Sequence, residues 1–151
     1  MNWYRDPESW SFILCSYLPR LVVCSLAWEI LQLPLYTLWT DSRPEQIAFA
    51  VAHCTAGDVM IGAAALVMAL IIGRAGVSAN WPRARIAWTM VALTLAYTLI
   101  SERANLALGN WQYSVWMPVL PWLGVGLAPL LQWIVVPLVV WWWATRHDSQ
   151  G

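Results

Sequence analysis

Four stretches of this chain are long and apolar enough to cross a bilayer, and that restricts the fold before any single residue is considered. A helix needs about 20 apolar residues to traverse roughly 30 Å of hydrocarbon, and runs of that length read as 21–39, 47–72, 86–108 and 122–145. Composition points the same way. Hydrophobic residues make up 60% of the 151 and charged residues 11%, against about 25% charged in an ordinary soluble domain. A soluble fold of this size would expose far too much apolar surface. The expectation is an all-α polytopic integral membrane bundle of four transmembrane helices. It forms a single transmembrane domain over residues 1–151, with a short interfacial aromatic segment between helices 3 and 4.

Local signals place the boundaries. Ser11–Tyr17 is apolar but too short to span, so it reads as an interfacial prelude, with Pro19 tolerated at a helix start. Pro34 is expected to kink the last turns of the first span, and Pro129 and Pro137 the fourth. The second span carries Gly62-Ala63-Ala64-Ala65, small residues that allow close helix approach in lipid. Gly109 and Asn110 stop the third helix. The aromatic, proline-bearing run from Trp111 to Trp122 is too short for another span, so it is expected to lie at the interface, either as a lid or as an ordinary aromatic loop.

All eight basic residues are arginine and are matched by eight acidic ones. The zero net charge gives no electrostatic case for nucleic acid as a partner. Placing both termini and the middle loop in the cytoplasm gathers Arg5, Arg20, Arg74, Arg83, Arg85 and Arg146 on that side and leaves Arg43 and Arg103 outside, as the positive-inside rule asks. Tryptophans fall at both interfaces in the same arrangement, as an aromatic belt should. The amino terminus lacks the pattern of a cleavable signal and is expected to stay on the protein. Cys15, Cys24 and Cys54 read as buried small hydrophobes, without disulfide or redox spacing.

Ionisable groups inside a membrane are expensive and rarely idle. Counted from the outer helix ends at 1.5 Å per residue, Gln32 and Glu102 lie about 9 Å deep, His53 about 10 Å, Glu29 about 14 Å, Gln132 about 15 Å and Asp58 about 18 Å. Polar groups from four helices thus share one layer. Glu29, Gln32 and Tyr36 fall on one helical face, as do Thr94, Thr98, Glu102 and Asn105. His53 is turned about 140° from Asp58, so the two are expected to contact different neighbours. Three acids with few counter-charges in a low dielectric lead to the expectation that at least one of Glu29, Asp58 and Glu102 is protonated at neutral pH. Such a group can serve as a proton donor or as a structural bond between helices, and both readings stay open for each acid. Glu102, Glu29, Asp58 and His53 are the candidate catalytic residues. Gln32, Tyr36, Thr98, Asn105, Trp111, Tyr113 and Gln132 are the candidate pocket residues. A metal site on His53, Cys54 and Asp58 lacks any supporting ligand spacing, and no cofactor is expected. Arg103 reads as a partner to an acid or as snorkelling to the interface.

The residues Trp28-Glu29, His53-Cys54-Thr55 with Gly57-Asp58, Ser101-Glu102 with Asn105, then Gly109, Trp111, Tyr113, Met117-Pro118 and Gln132-Trp133 resemble a group of small four-helix bacterial inner-membrane proteins. That resemblance attaches no activity. A membrane glutamate followed by a Gly-aromatic-x-Tyr segment and a proline-rich lead into the next helix is similar, more distantly, to carotenoid hydratases and lycopene-cyclase-type proteins. A four-helix bundle with intramembrane acids also resembles the EXPERA (sterol isomerase-like) class. These resemblances imply that Glu29 and Glu102 are acid/base candidates toward an isoprenoid or other lipid. Two functions follow as expectations. One is a carboxylate-rich pocket in the outer half of the bilayer that binds a hydrophobic small molecule and catalyses its isomerisation, hydration or cyclisation. The other is a non-enzymatic transport, proton-conducting or assembly subunit whose polar residues hold helices or a partner together. The residues leave open whether the chain is an enzyme and what its oligomeric state is.

Overall fold

A computed structural model of the chain describes residues 2–147; residues 1 and 148–151 of the expected domain lie outside the described residues. The architecture is an all-α four-helix bundle of α1 (Pro7–Leu35), α2 (Pro44–Ile72), α3 (Arg83–Leu108) and α4 (Leu127–His147), and each helix is long and apolar enough to cross a membrane. α1 packs on α2 and α4, and α3 packs on the same two helices, so the four close a ring in chain order. Phe12, near the start of α1, meets Trp81 just before α3 and Trp141 late in α4, with ring centroids 5.5 and 5.7 Å away. The end of α1 meets the segment after α3 through a bridge between Tyr36 and Tyr113. Neighbouring helices are therefore antiparallel, with a terminal end near Phe12 and a loop end near Tyr113.

The outward faces are as apolar as the interior: Leu31, Phe49, Met60 and Ile100 are each more than 70% exposed. The acids Glu29, Asp58 and Glu102 are instead buried, as are Gln32 and Gln132. Apolar outside and polar inside is the distribution of a multi-pass membrane protein. Close packing supports it at mid-bundle. A Cβ added at Gly62 would come within 2.7 Å of Leu21 Cδ2, so the small residue lets α1 and α2 approach.

Three boundaries differ from the sequence expectation by four residues or more. The first helix does not begin after Arg20. It starts at Pro7, where the Asp6 carboxylate caps the Ser9 N–H at 3.2 Å, and it runs without a break through Ser11–Tyr17, the stretch expected to be a separate prelude. Phe12–Tyr17 forms a wider π-helical turn, with the Leu18 N–H bonded to the Ile13 carbonyl. That wider turn lies immediately ahead of Pro19, whose ring and missing N–H would otherwise break the helix against the preceding turn. At its other end α1 stops at Leu35 rather than Trp39, tightening into a 3₁₀ turn at Leu33–Leu35 around Pro34 before Tyr36 leaves extended.

The fourth helix starts at Leu127 instead of Trp122. Val119–Leu120 (β1) pairs antiparallel with Val125–Gly126 (β2), and Gly124 takes the left-handed turn between them at φ 63°. The apolar run at 122–126 is thus a hairpin, with Trp122 82% exposed at its tip. α3 ends as expected, with Gly109 left-handed at φ 71° and the Asn110 N–H bonded to the Asn105 carbonyl.

Candidate functional site

α1, α2 and α3 send polar side chains into the loop-end half of the ring because their polar residues recur at three- and four-residue spacing on the inward face, and α4 adds Gln132. A cavity of about 740 Å³ lies there. Glu29 and Gln32 line it from α1, His53 and Asp58 from α2, Thr98, Glu102 and Asn105 from α3, and Gln132 from α4; Tyr36 and Trp111 close it at the loop end. Of the residues expected from the sequence, Tyr113 alone lies behind the wall, against Glu102.

Gln132 holds the layer together. Its Nε2 donates to Asp58 Oδ2 at 2.6 Å and to Glu29 Oε1 at 3.3 Å, and its own Oε1 accepts from Gln32 Nε2 at 3.4 Å. Gln32 Nε2 also donates to Glu29 Oε1 at 2.7 Å, and the Trp28 indole donates to Gln32 Oε1 at 3.2 Å. The Glu29 and Asp58 carboxyl groups are thus both held by the same Gln132 amide nitrogen. One amide therefore gathers acids from α1 and α2 at a point on α4.

Glu102 stands on α3, diagonal to α1 in the ring. The Tyr113 hydroxyl donates to its Oε2, while the Tyr113 oxygen accepts from the Gly126 N–H at 2.9 Å. Burial, followed by the bond to Glu102, pushes the Tyr113 phenol well above its ordinary range, so the phenol stays a donor at any physiological pH. The Trp111 indole lies beside the same carboxyl without closing a hydrogen bond. Asn105 points its amide away from the acid, to the Ser101 carbonyl at 2.8 Å and to Ser101 Oγ at 3.2 Å.

The roof is stitched to α1. The Ser114 N–H donates to the Leu35 carbonyl at 2.9 Å, the Thr37 N–H to the Gln112 carbonyl at 3.1 Å, and Ser114 Oγ to the Pro34 carbonyl at 3.0 Å. Tyr36 and Tyr113 meet edge to face at 5.5 Å. The aromatic segment between α3 and α4 thus covers the polar layer as a lid.

His53 does not join the acids. It is exposed on the outer face of α2, stacked on Phe49 at 5.7 Å, and borders the cavity only at its rim. Arg103, one residue past Glu102 and so about 100° around the helix, is exposed and directed away from the layer. Phe49 and Tyr97 also line the cavity, and the sequence reading missed both. Nothing in the sequence separates them from lipid-facing aromatics, since each is still more than half exposed.

Comparison of the chain with protein-family models, with curated proteins and with solved structures finds no match.

Proposed function

We propose that this chain is a multi-pass protein of a bacterial inner membrane, with both termini cytoplasmic, that binds a hydrophobic small molecule or lipid in the loop-end cavity. Its carboxyl groups serve as acid and base in isomerisation, hydration or cyclisation of that molecule. The observation that carries the reading is the meeting of three acids from three helices on the wall of a cavity of about 740 Å³, a volume inside the range of roughly 300–1,000 Å³ found for small-molecule sites. Arg5, Arg20, Arg74, Arg83, Arg85 and Arg146 all belong to the terminal end, which supports a cytoplasmic position for that end and an outer-leaflet position for the cavity.

Glu102, steadied by Tyr113, is the leading acid, and Glu29 is its counterpart. In an isomerisation Glu102 protonates one alkene carbon, the cation forms on the other, and Glu29 takes a proton from the allylic carbon next to that cation, so the double bond moves by one position and the layer keeps its proton count. Asp58, bridged to Glu29 by Gln132, is a second seat for that proton. His53 lies outside this transfer.

The second reading is a transport, proton-conducting or assembly subunit. The hydrogen bonds through Gln132 favour it, because they join three helices much as interhelical glue does. Glu102→Gln and Glu29→Gln separate the two. Under the enzyme reading both variants melt like the parent, while a lipid product found by untargeted analysis of the membranes falls by about 100-fold or more. Variants that fail to assemble favour the second reading. An unchanged lipid profile with and without the protein overturns the enzyme.

A further inference from the structure

Most of the layer's hydrogen-bonding capacity is used inside the fold; of the buried polar atoms left without a partner among the described residues, those of Thr98 and Trp111 belong to residues that line the cavity, whereas Ser25 and Thr55 do not line it. Thr89, Thr94 and Thr145 each return their hydroxyl to the carbonyl four residues back, at 2.8, 2.9 and 2.8 Å. Thr98, one turn beyond Thr94 on α3, makes no such bond. Its Oγ1 has no partner among the described residues although the residue is only 4% exposed and lines the cavity. One turn further on is Glu102, whose Oε2 is engaged by Tyr113 and which also lines the cavity. Beside it lies the buried, unpartnered Nε1 of Trp111, which lines the same cavity. A buried polar group without a partner is costly, and here two lie around one acid.

We infer that Thr98, Glu102 and Trp111 form the headgroup subsite of the cavity, and that it receives the hydroxyl of an uncharged long-chain alcohol. The inference rests on the ligand-binding half of the reading above. Donor and acceptor types choose the headgroup. An indole N–H can only donate, so the ligand atom facing Trp111 must be an acceptor. An ammonium offers none. A carboxylate or phosphate would accept from Trp111 but would add negative charge to a layer already holding three acids in low dielectric. A bare hydrocarbon would leave both orphans unpaired. A hydroxyl can satisfy all three groups at once: its oxygen accepts from Trp111 Nε1, it shares a hydrogen bond with the Glu102 carboxyl as donor or acceptor according to that group's protonation, and Thr98 Oγ1 bonds it from the adjacent turn. The alkyl chain then lies along the apolar part of the wall, near Leu33, Ile61 and Trp133.

The test uses the full chain in phosphatidylcholine nanodiscs and measures retention of labelled dodecanol above that of empty discs, beside labelled dodecane, with unlabelled dodecylamine and dodecanoate as competitors. The parent is expected to hold dodecanol about tenfold more tightly than dodecane, a difference of the size one or two hydrogen bonds supply, and the charged competitors are expected to displace it poorly. Thr98→Val and Trp111→Phe should each lower dodecanol retention about fivefold to tenfold and leave dodecane unchanged. Thr98→Val should also melt at or above the parent temperature, because it removes an unpartnered hydroxyl. Equal retention of dodecanol and dodecane, as when water alone fills the subsite, overturns the subsite but leaves the binding cavity standing. Preference for the amine or the acid overturns the choice of headgroup. A clear loss of stability in Thr98→Val assigns that hydroxyl to the fold and overturns its part. Retention of neither probe overturns the cavity reading and this inference together.

Discussion

The two ends of the bundle are built from the same four helices by opposite means. At the terminal end Phe12, Trp81 and Trp141 pack ring against ring, the two indoles 6.2 Å apart and nearly parallel, over buried Leu21, Leu70, Ile86, Met90 and Val140. The Tyr17 hydroxyl donates to the Gly62 carbonyl at 3.2 Å, a polar contact inside otherwise apolar packing. At the loop end that packing gives way to a hydrogen-bonded layer around a void. Lipid tails are as apolar as a leucine side chain, so helices in a membrane are held by fit and by hydrogen bonds rather than by exclusion of water. The closely packed end holds the ring, and the other end is thereby free to keep a cavity open.

Substitutions ranked by their effect on melting in detergent would break or sharpen this contrast. Trp141→Ala, which opens a hole in the aromatic cluster, is expected to cost the most, about 3–5 kcal/mol. Because the hole lies at the far end from the cavity, ligand retention per folded molecule should be unchanged, and a selective loss of retention would contradict the division of labour. Gln132→Leu removes the amide that bridges Glu29 and Asp58 and is expected to cost about 1–3 kcal/mol. Unlike the first change, it should also reduce ligand retention, since the wall of the cavity is disturbed. The smallest effect belongs to Asp6, whose carboxylate accepts from Ser9 Oγ at 2.6 Å and from the Ser78 N–H at 3.1 Å, tying the start of α1 to the loop before α3. The Ser9 hydroxyl and then the Ser78 amide hold its pKa below the ordinary 3.8. Its contribution is therefore full above that value and is lost as pH falls through the lower folded value. Asp6→Ala should melt slightly below the parent at neutral pH, with the gap narrowing in acid; a gap independent of pH would remove the carboxylate's charge from the explanation.

The helix count was legible because length and hydropathy decide it one segment at a time. The boundaries that moved were set by backbone chemistry that composition does not carry. The π turn ahead of Pro19 joins two stretches that look separate, and the hairpin at 119–126 hides inside a run as apolar as the helix that follows. The site was legible as a height and as a set of faces. Glu29 with Gln32, and Thr98 with Glu102, lie inward as their spacing requires, and His53 points away from Asp58 as its angle requires. What could not be read was rotation between helices. Counting residues put Gln132 about 3 Å above Asp58, yet the two are directly bonded at 2.6 Å, because helix tilt and azimuth decide contact and neither leaves a mark in one sequence.

The π turn in α1 has a further consequence, best expressed as phase. On an unbroken α-helix the sixteen residues from Ile13 to Glu29 would rotate the second side chain roughly 160° away from the first, so a helix facing the aromatic cluster at one end would present its acid to lipid at the other. The wider turn between them gives back part of that rotation, and both residues end up buried. The irregularity beside the terminal end is thus what aims Glu29, some three turns further along, into the cavity.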